Sequence, residues 1–584
     1  MFHGASTTRR LVSIAALMLW LSGVTRAEQT VGLFLNDEAS FDGYTLFTPI
    51  GSTSTYLINN EGKLVHSWWN QYEAWGTAYL LENGELLRVE RADQNSLGRV
   101  EKYAWDGTVL WNVVYNDDEH MQHHDVEPLP NGNVLMITWE VKTELEAIEA
   151  GKNPAEVGAE FWPLRVIEVE PVGASGGKIV WDWHAWDHLV QDFDFTKANF
   201  GVVADNPGLI NINYWWWSTQ EDWLHTNGID YNEALDQIVL SAAGLSEIWI
   251  IDHSTTSEEA AGHTGGNSGR GGDLLYRWGN PAAYDRGREA DQKLFFQHDP
   301  RWIEPGHPGA GNMTIFNNHA SSESGTPPGP FSSVVEIETP VDGNGNYLLP
   351  GDSAYGPEEP TWTFTADPPT DFYAQNTSGA HRLPNGNTLI CQGPDGILFE
   401  VTEEGETVWH YVSPGSTSAQ QGQASGAWTF RTHRYAPDYP GLDGQDLTPG
   451  NPIENFNQPY SVPDGSGATQ PLTCQRTTAN GDAIRLFWDS SCWGSDSNFN
   501  LIVGNLTDVA DYTLQSSECA IGTVGAYNWT GVPAGNLYFL LVGVDECPVY
   551  ESSWGTNSYG EERNGTTPSN LCGVTTKTME LTCR

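Results

Sequence analysis

One pattern of strands and turns recurs along most of this chain, between about residues 40 and 440. Each copy has a polar start, an apolar strand, a turn, a second strand, and a last strand that ends in tryptophan. In the clearest copy, His381 and Arg382 precede Leu-Pro-Asn-Gly-Asn, and the copy ends at Val412. An Asn-Gly pair between apolar runs is a strong hairpin signal, because both central residues of a type I′ turn need a positive φ. Each copy is therefore predicted to form two successive hairpins, which make four strands.

The number and length of the copies predict a β-propeller. Four-stranded repeats of about 40–60 residues are typical of propeller blades, which close on one another and so remove free sheet edges. Five clear or fair copies and an N-terminal one indicate six blades, and we expect residues 428–435 to close the ring beside the N-terminal strands. The copies begin near Gly43, Thr77, His124, His225, His298 and His381.

The rest of the chain is also predicted to be β-rich. The chain has 25 Trp, 22 Tyr, 20 Phe, 62 Gly and 33 Pro, which favours aromatic strands and many turns over helices. A segment rich in Pro, Gly and Asn, residues 441–471, is expected to be a linker or a strap over the propeller. The strand pattern of residues 472–584 resembles a fibronectin type III module. We therefore expect an all-β fold, with a six-bladed β-propeller at residues 28–440 followed by a small disulfide-containing β-sandwich.

Most cysteines lie in the predicted sandwich, where an exported chain could form up to three disulfides. These cysteines are Cys474, Cys492, Cys519, Cys547, Cys572 and Cys583.

The first 27 residues have the layout of an export signal. Arg9 and Arg10 precede an apolar stretch at residues 11–24, and small residues stand at the −3 and −1 positions of a cleavage site after Ala27. We expect a mature protein that begins near Glu28 and is periplasmic or extracellular, with the Sec and Tat routes both open. No later segment approaches 18 uninterrupted apolar residues, so no stable membrane span is expected.

The charge of the chain excludes one class of partner. With 76 acidic and 27 basic residues, the formal net charge is −49, and a nucleic-acid binder needs a basic surface instead. No nucleic-acid partner is therefore expected, and the sequence leaves the oligomeric state open.

Four histidines stand just before the first strand of their repeats, namely His124, His225, His298 and His381. The first strand of each propeller blade lines the central channel, so we expect these four imidazoles to converge on the axis. Imidazole can bind a metal ion, hold an anion or act as a nucleophile. The alternative is a purely structural role, in which each histidine forms a hydrogen bond between blades.

Three of these segments resemble the bacterial arylsulfotransferase family. They are HTNGIDY at His225, QHD at His298 with GNMTIFNN after it, and the LPNGN stretch that follows His381. The resemblance spans roughly residues 40–440 and implies an exported six-bladed propeller. It also implies transfer of a sulfuryl group from an aryl sulfate to a phenol, with small molecules as partners and with no nucleotide cofactor and no metal.

The resemblance implies roles for individual residues. In that family one channel histidine is transiently sulfated and two others hold the sulfuryl oxygens. His381 would then be the nucleophile, with His225 and His298 as sulfate ligands and His124 beside them. Trp215, Trp216 and Trp217 are candidates for binding the phenol.

Two positions depart from the family pattern. Ser332 and Ser333 stand where the family has an arginine, and Pro300 stands where it has an asparagine. Candidates to replace the arginine are His319, Arg431 and Arg434.

Two other functions stay open at this point. One is a non-catalytic secreted propeller that binds a small ligand, a glycan or a protein, with the C-terminal module anchoring it to a surface. The other is a metal-dependent lyase or hydrolase that uses the histidine ring.

Overall fold

The computed structural model describes most of the chain between residues 29 and 577. The expected export signal, at residues 1–27, lies outside the described residues. None of the helices within the described ranges is long and apolar enough to cross a membrane. The undescribed stretches inside these limits are residues 94–95, 215–220, 323–328, 343–344, 417–418, 420–424, 455–471, 479–481, 489–496, 523–524, 546–549, 552–553, 555–562 and 565–566.

The described residues form β-strands almost throughout. The strands up to Tyr435 are β1 (Gly32–Asn36), β2 (Tyr44–Pro49), β3 (Ser54–Asn59), β4 (Leu64–Trp69), β5 (Ala74–Leu80), β6 (Leu86–Glu90), β7 (Arg99–Tyr103), β8 (Val109–Val114), β9 (His120–Pro128), β10 (Val134–Glu140), β11 (Lys142–Thr143), β12 (Glu160–Phe161), β13 (Leu164–Pro171), β14 (Gly177–His184), β15 (Leu189–Val190), β16 (Ile210–Asn211), β17 (Thr226–Asn232), β18 (Gln237–Ala242), β19 (Glu247–Asp252), β20 (Tyr276–Trp278), β21 (His298–Trp302), β22 (Met313–Asn317), β23 (Ser333–Ile337), β24 (Trp362–Phe364), β25 (Gly379–Arg382), β26 (Thr388–Gln392), β27 (Ile397–Val401), β28 (Thr407–Val412) and β29 (Thr429–Tyr435).

The later strands and the helices complete the set. The later strands are β30 (Thr473–Arg476), β31 (Ala483–Phe487), β32 (Ser497–Asn505), β33 (Ser516–Glu518), β34 (Ala526–Thr530), β35 (Leu537–Asp545), β36 (Tyr550–Glu551) and β37 (Thr576–Lys577). The α-helices are α1 (Glu144–Glu149) and α2 (Ser257–Ala260). Short 3₁₀ helices span Pro154–Glu156, Ala185–His188, Val203–Asp205, Ala243–Leu245, Pro281–Tyr284, Glu289–Asp291, Ala320–Ser322, Pro369–Asp371, Gly393–Asp395, Pro440–Leu442 and Leu506–Asp511.

Six antiparallel sheets of the described chain form the predicted blades. Their strand orders, from the channel outwards, are β29-β2-β3-β4, β5-β6-β7-β8, β9-β10-β13-β14, β17-β18-β19-β20, β21-β22-β23-β24 and β25-β26-β27-β28-β1. The inner strands β29, β5, β9, β17, β21 and β25 contact one another in this order, and β25 contacts β29 again. The ring is therefore closed, and the all-β, six-bladed fold expected from the repeats is confirmed.

Closure uses the strand predicted from the sequence. β29 pairs antiparallel with β2, with Tyr44 opposite Tyr435 and Phe47 opposite Thr432. The first blade therefore combines a C-terminal inner strand with three N-terminal strands. β1 in turn pairs with β28 on the outside of the sixth blade, so both ends of the propeller are held by the sheets they join.

The Asn-Gly hairpins differ from the expected type I′ turn. In the sixth blade Gly386 has φ 92°, but Asn385 is not among the residues with positive φ. Gly386 N–H donates to the carbonyl of Leu383 at 2.9 Å, and Leu383 N–H donates to the carbonyl of Asn387 at 2.8 Å. This is a three-residue loop that ends in a left-handed glycine, in which only the glycine needs the unusual conformation.

Tryptophans on the fourth strands of the blades join neighbouring blades. In every blade, the indole N–H of this tryptophan donates a hydrogen bond to a backbone carbonyl of the next blade. The pairs are Trp68 with Ala104, Trp111 with Gly176, Trp183 with Gly272, Trp278 with Pro357, Trp362 with Glu403, and Trp409 with Asn60. The repeated tryptophan is thus a blade-to-blade connector that continues around the ring.

The segment after the propeller begins as a strap on its surface. Leu442 and Ile453 are buried in apolar clusters of the propeller. The backbone of Leu64 exchanges hydrogen bonds with Gly450 and Asn451. The remainder of the expected linker, residues 455–471, lies outside the described residues.

The C-terminal strands form two sheets, β30-β31-β34 and β33-β32-β35-β36-β37. Leu486 and Trp529 of the first sheet pack with Phe499 and Leu501 of the second, which makes a small β-sandwich. Cys519 and Cys572 form a disulfide, which confirms the prediction of a disulfide-containing sandwich. Cys474 has no described cysteine as partner, and Cys492, Cys547 and Cys583 lie outside the described residues.

Candidate active site

A cavity of about 460 Å³ lies at the mouth of the central channel. This volume is within the range that small-molecule sites occupy. Its lining comes from all six blades, which places it on the axis of the ring. The lining residues are Ile50, Trp75, His124, His225, Phe296, His298, His319, Tyr373, Gln375, Asn376, Thr377, Trp428 and Phe430.

Three of the four predicted channel histidines meet in this cavity. The ring centroids of His124 and His225 are 4.9 Å apart. The Phe296 ring lies 5.4 Å from that of His225 and 5.7 Å from that of His298, so it contacts both histidines. His319, predicted as a substitute for the family arginine, lines the same cavity, with its ring 5.9 Å from Phe296.

Irregular backbone within or just before the inner strands directs these side chains. His124 and His225 have φ values of 54° and 40°. Such values are uncommon for residues other than glycine. The pairing of β9 with β10 also shifts register around His124, and a β-bulge of this kind re-aims a side chain away from the ladder.

His225 is held by a carboxylate. Its Nδ1 lies 2.5 Å from Oδ2 of Asp222, whose Oδ1 accepts a hydrogen bond from the indole of Trp139 at 2.9 Å. Burial alone would raise the pKa of Asp222, but the hydrogen bond and the charge of His225 outweigh it and lower that pKa. Asp222 is therefore a carboxylate that accepts a hydrogen bond from Nδ1–H. In the neutral ring this leaves Nε2 as the nitrogen with the lone pair.

Both nitrogens of His298 are occupied. Nδ1 lies 2.8 Å from Oδ1 of Asn318, and Nε2 accepts the backbone N–H of Thr377 at 3.1 Å. The Asn318 amide donates to the carbonyls of Ala374 and Thr377, which fixes its orientation. Burial lowers the pKa of His298 to about 3, so its ring is neutral. His298 therefore holds the segment around Thr377 against the cavity.

Ser332, at one of the positions where the family has an arginine, supports this arrangement from behind. Its hydroxyl donates to the backbone carbonyl of Asn318 at 2.7 Å and accepts from the backbone N–H of Ala374 at 2.9 Å. Ser332 does not line the cavity.

His124 is paired with its neighbour in sequence. Nδ1 of His124 lies 2.7 Å from Nδ1 of His123, and the His123 ring stacks on Trp139 at 4.0 Å. Burial lowers the pKa of His123 to about 3 and that of His124 well below its usual range. One ring donates to the other, and both are neutral near neutral pH.

The structure places His381 in a different layer of the channel. It is not part of the cavity lining, and its ring stacks on His433 at 5.1 Å. His298 pairs with Phe316, the fourth residue of β22, whereas His381 pairs with Leu389, the second residue of β26. This offset of two residues corresponds to about 7 Å along a strand. The sixth blade instead contributes Thr377, with the segment that precedes it, to the cavity lining.

His381 is nevertheless a neutral and unpaired imidazole. Burial lowers its pKa to about 4, with Asp299 acting against this shift and nearby arginines adding to it. Among the described residues, neither ring nitrogen has a hydrogen-bond partner.

A buried ionic layer lies directly beneath the histidines. Arg431 pairs with Asp125, which follows His124, and its Nε lies 3.1 Å from Oδ1 of Asp299, which follows His298. Arg301 in turn contacts Asp299 at 2.9 Å. Arg431 is thus the predicted substitute that lies below the cavity.

Arg434 does not face the channel. It pairs with Glu400 and donates from Nε to the hydroxyl of Thr45 at 2.9 Å, between the first and sixth blades. Residues three apart on a strand point to opposite faces, so β29 separates Arg431 from Arg434.

Comparison with known proteins gives one decisive match. The family model described as Arylsulfotransferase (ASST) matches residues 50–425, which is more than half of the chain. The chain belongs to the arylsulfotransferase family. Every histidine that lines the cavity of this arylsulfotransferase-family protein lies within the match, whereas β29 with Arg431 follows it. Membership implies small-molecule substrates.

Other comparisons add little to this family assignment. No curated protein matches. A protein of unknown function from Bacteroides caccae is 12% identical, with TM-score 0.36, over 68% of this chain and 99% of that chain. The Pseudomonas aeruginosa periplasmic gluconolactonase is 11% identical, with TM-score 0.29, over 85% of this chain and 99% of that chain. Similarity at this level does not establish a function.

Aromatic side chains form much of the wall of the arylsulfotransferase-family cavity. The predicted phenol-binding residues Trp215, Trp216 and Trp217 lie outside the described residues. The aromatic lining comes from Trp75, Phe296, Tyr373, Trp428 and Phe430. The repeat pattern of the sequence did not single out these five, because isolated aromatic residues are common throughout this chain. It also missed Asp222 and Asn318, although Asp222 stands only three residues before His225.

Proposed function

We propose that this protein transfers a sulfuryl group from an aryl sulfate to a phenol in the channel-mouth cavity. The observation that carries the proposal is the Asp222–His225 pair in a cavity with aromatic walls, in a chain of the arylsulfotransferase family. Aromatic walls suit the rings of donor and acceptor. An imidazole with a carboxylate on Nδ1 suits nucleophilic attack from Nε2.

The first half of the reaction would sulfate His225. The Nε2 lone pair attacks sulfur, an N–S bond forms, and the bond from sulfur to the aryl oxygen breaks to release a phenolate. The ring becomes an N-sulfonated imidazolium that still carries its Nδ1 proton. The carboxylate of Asp222, at 2.5 Å from Nδ1, stabilises this positive charge.

The second half would return the enzyme to its starting state. The acceptor phenol loses its proton, its oxygen attacks sulfur, and the N–S bond breaks. The phenol proton passes to solvent, because burial holds the pKa of His124 well below its usual range and makes that ring a poor base, although it lies 4.9 Å from the His225 ring. Because one product leaves before the acceptor reacts, the kinetics would be ping-pong.

His298 acts differently in this proposal from the oxygen ligand that the resemblance implies. Its Nε2 already accepts from Thr377 N–H, and its ring is neutral. It therefore positions the segment with Thr377. His381 as the nucleophile stays a prediction from the resemblance, and the geometry favours His225 because only His225 of the two lines the cavity.

The experiment is a transfer assay combined with mass spectrometry. Purified protein is incubated with an aryl sulfate and a phenol, and the sulfated histidine is located after rapid quenching without acceptor. We expect turnover that His225→Gln abolishes, and a sulfuryl group on the peptide that contains His225. His381→Phe serves as the matched variant, because it preserves a ring against His433, and it should remain active.

Two outcomes would contradict parts of the proposal. A sulfated His381, together with an inactive but folded His381→Phe, would transfer the nucleophile role to His381. No turnover with any aryl sulfate and no sulfated histidine would favour a non-catalytic propeller that binds a ligand.

We also propose that the protein works outside the cytoplasm. The Cys519–Cys572 disulfide supports this location, because structural disulfides persist in oxidising compartments.

A further inference from the structure

A second group of histidine and carboxylate side chains lies away from the cavity. His188 ends the 3₁₀ helix Ala185–His188, which follows the outer strand β14 of the third blade. His263 and Asp273 belong to the loop between α2 and β20 of the fourth blade. One ligand atom from each of the three lies within 4.8 Å of the others, and none of them lines the cavity.

One carboxylate oxygen contacts both imidazole rings. Oδ1 of Asp273 lies 2.9 Å from Nδ1 of His188 and 2.7 Å from Nδ1 of His263. Three atoms that can each offer a lone pair therefore lie within 4.8 Å of one another, close enough to bind one ion. The side chains of His263 and Asp273 are 60% and 18% exposed, whereas His188 is fully buried.

The tautomer of His188 is set by its other nitrogen. Nε2 lies 2.8 Å from the backbone carbonyl oxygen of Ala260, which can only accept, so Nε2 carries a proton. In the neutral ring, Nδ1 then has a lone pair that points at the carboxylate. Two acceptors at 2.9 Å repel each other unless a proton or a cation lies between them. A histidine whose outer N–H donates to a backbone carbonyl is the usual arrangement of a metal ligand.

The surroundings hold His188 in this orientation. Its ring stacks on Trp183 with an interplanar angle of 3°, and the Trp183 indole donates to the carbonyl of Gly272 at 2.7 Å. A Cβ on Gly272 would lie 2.0 Å from the carbonyl oxygen of Ala260 and 2.5 Å from Nε2 of His188. Only glycine therefore permits this close packing, immediately before the ligand Asp273.

We propose that His188, His263 and Asp273 bind one divalent transition-metal ion, of which zinc is the best fit, at the junction of the third and fourth blades. Two imidazoles and one carboxylate are a ligand set that zinc accepts with water in the remaining position. Calcium and magnesium prefer all-oxygen sites. Because the ligands come from two blades, the bound ion fastens the loop of the fourth blade to the third.

The test measures zinc binding by the full-length protein after removal of metal with a chelator. Bound zinc per chain is determined by elemental analysis after dialysis against zinc, and the melting temperature is measured with and without zinc. His263→Ala and Asp273→Asn remove one ligand each. His120→Ala is the matched control, because His120 forms a similar contact with Asp117 at 3.2 Å but belongs to no such three-ligand group in the described part of the chain.

We expect the wild type and His120→Ala to bind one more zinc ion per chain than His263→Ala and Asp273→Asn. Zinc should raise the melting temperature of the first pair more than that of the second. Comparing variants separates this site from zinc on the channel histidines, which all four proteins share. Equal zinc content in all four, or no zinc bound by the wild type, would overturn the proposal.

The identity of the ligands has an independent readout. Cobalt(II) substituted for zinc should give visible absorption bands of a low-coordinate nitrogen and oxygen site, and these bands should be absent in His263→Ala. Unchanged bands in that variant would place the metal elsewhere.

Discussion

Nδ1 of His225 and Oδ2 of Asp222 are 2.5 Å apart, and both residues lie on the irregular segment just before the inner strand β17. The contact decides which nitrogen of the ring faces substrate. A carboxylate can only accept from Nδ1, so the lone pair of the neutral ring is on Nε2.

Asp222→Asn should therefore impair turnover more than binding. An amide can donate to Nδ1 and so favours the tautomer with a protonated, non-nucleophilic Nε2. We expect kcat for aryl-sulfate transfer to fall roughly 10²–10⁴-fold with KM changed little. Steady-state kinetics of Asp222→Asn and of the two control variants described below measure the separate effects on kcat and KM.

Asp236→Asn is the matched control for this prediction. Asp236 contacts Nδ1 of His253 at 2.7 Å, which is a similar pair away from the cavity lining. It should keep wild-type kinetics, as should the second control, Asp291→Asn on the surface. Wild-type kcat in Asp222→Asn would show that the carboxylate does not set the tautomer.

Acid should destabilise the protein over a defined pH range. Burial lowers the pKa of His123 and His298 to about 3 and that of His381 to about 4, from 6.5. Above pH 6.5 these rings are neutral in both folded and unfolded chains. Below it, only the unfolded chain takes up the protons, so stability falls until pH reaches about 3–4. Each ring contributes up to about 1.4 kcal/mol per pH unit.

His381→Phe should take up about one proton fewer than the wild type on unfolding below pH 6.5, so its stability should depend less steeply on pH. The measurement is the urea midpoint as a function of pH, compared between the variant and the wild type. An unchanged slope between pH 6.5 and 4 would show that His381 is protonated in the folded protein.

Arg431→Met should strongly destabilise the channel. Arg431 is 4% exposed and pairs with the buried carboxylates of Asp125 and Asp299. Removing one partner of a buried ion pair leaves an uncompensated charge, at a cost of about 3–5 kcal/mol. Urea unfolding measures the loss, with the exposed ion-pair residue Arg288 changed to Met as the control that should leave the midpoint unchanged. An unchanged urea midpoint in Arg431→Met would mean that the carboxyl groups of Asp125 and Asp299 are protonated.

Trp409→Phe should weaken closure of the ring. The Trp409 indole N–H donates to the carbonyl of Asn60 at 2.9 Å, across the junction of the sixth and first blades. Phenylalanine leaves this carbonyl without its donor, which costs about 1–3 kcal/mol. Thermal unfolding should show a lower Tm than for Trp69→Phe, since Trp69 is 70% exposed. Equal melting temperatures would show that the connector hydrogen bond contributes nothing.

The site was less predictable from the sequence than the fold. Register shifts occur in β9 around His124, in β17 shortly after His225 and in β21 just after His298, whereas the pairing of β25 with β26 has none. A bulge adds a residue to one strand without any fixed sequence signal. Counting from the repeat pattern therefore placed His381 level with the other three histidines, although it lies about two residues away along the strand direction.

By itself, the sequence determined the architecture of the propeller: six blades, closure by residues 428–435, and the convergence of His124, His225 and His298 on one axis. These follow from hairpin signals and strand alternation, which are local and repeat along the chain. Only the tertiary structure decided that Asp222 orients His225, that Asn318 orients His298, and that His381 lies in another layer. The first depends on the left-handed backbone at His225, the second on a contact between segments twenty residues apart, and the third on strand register, and none of these has a fixed sequence signal.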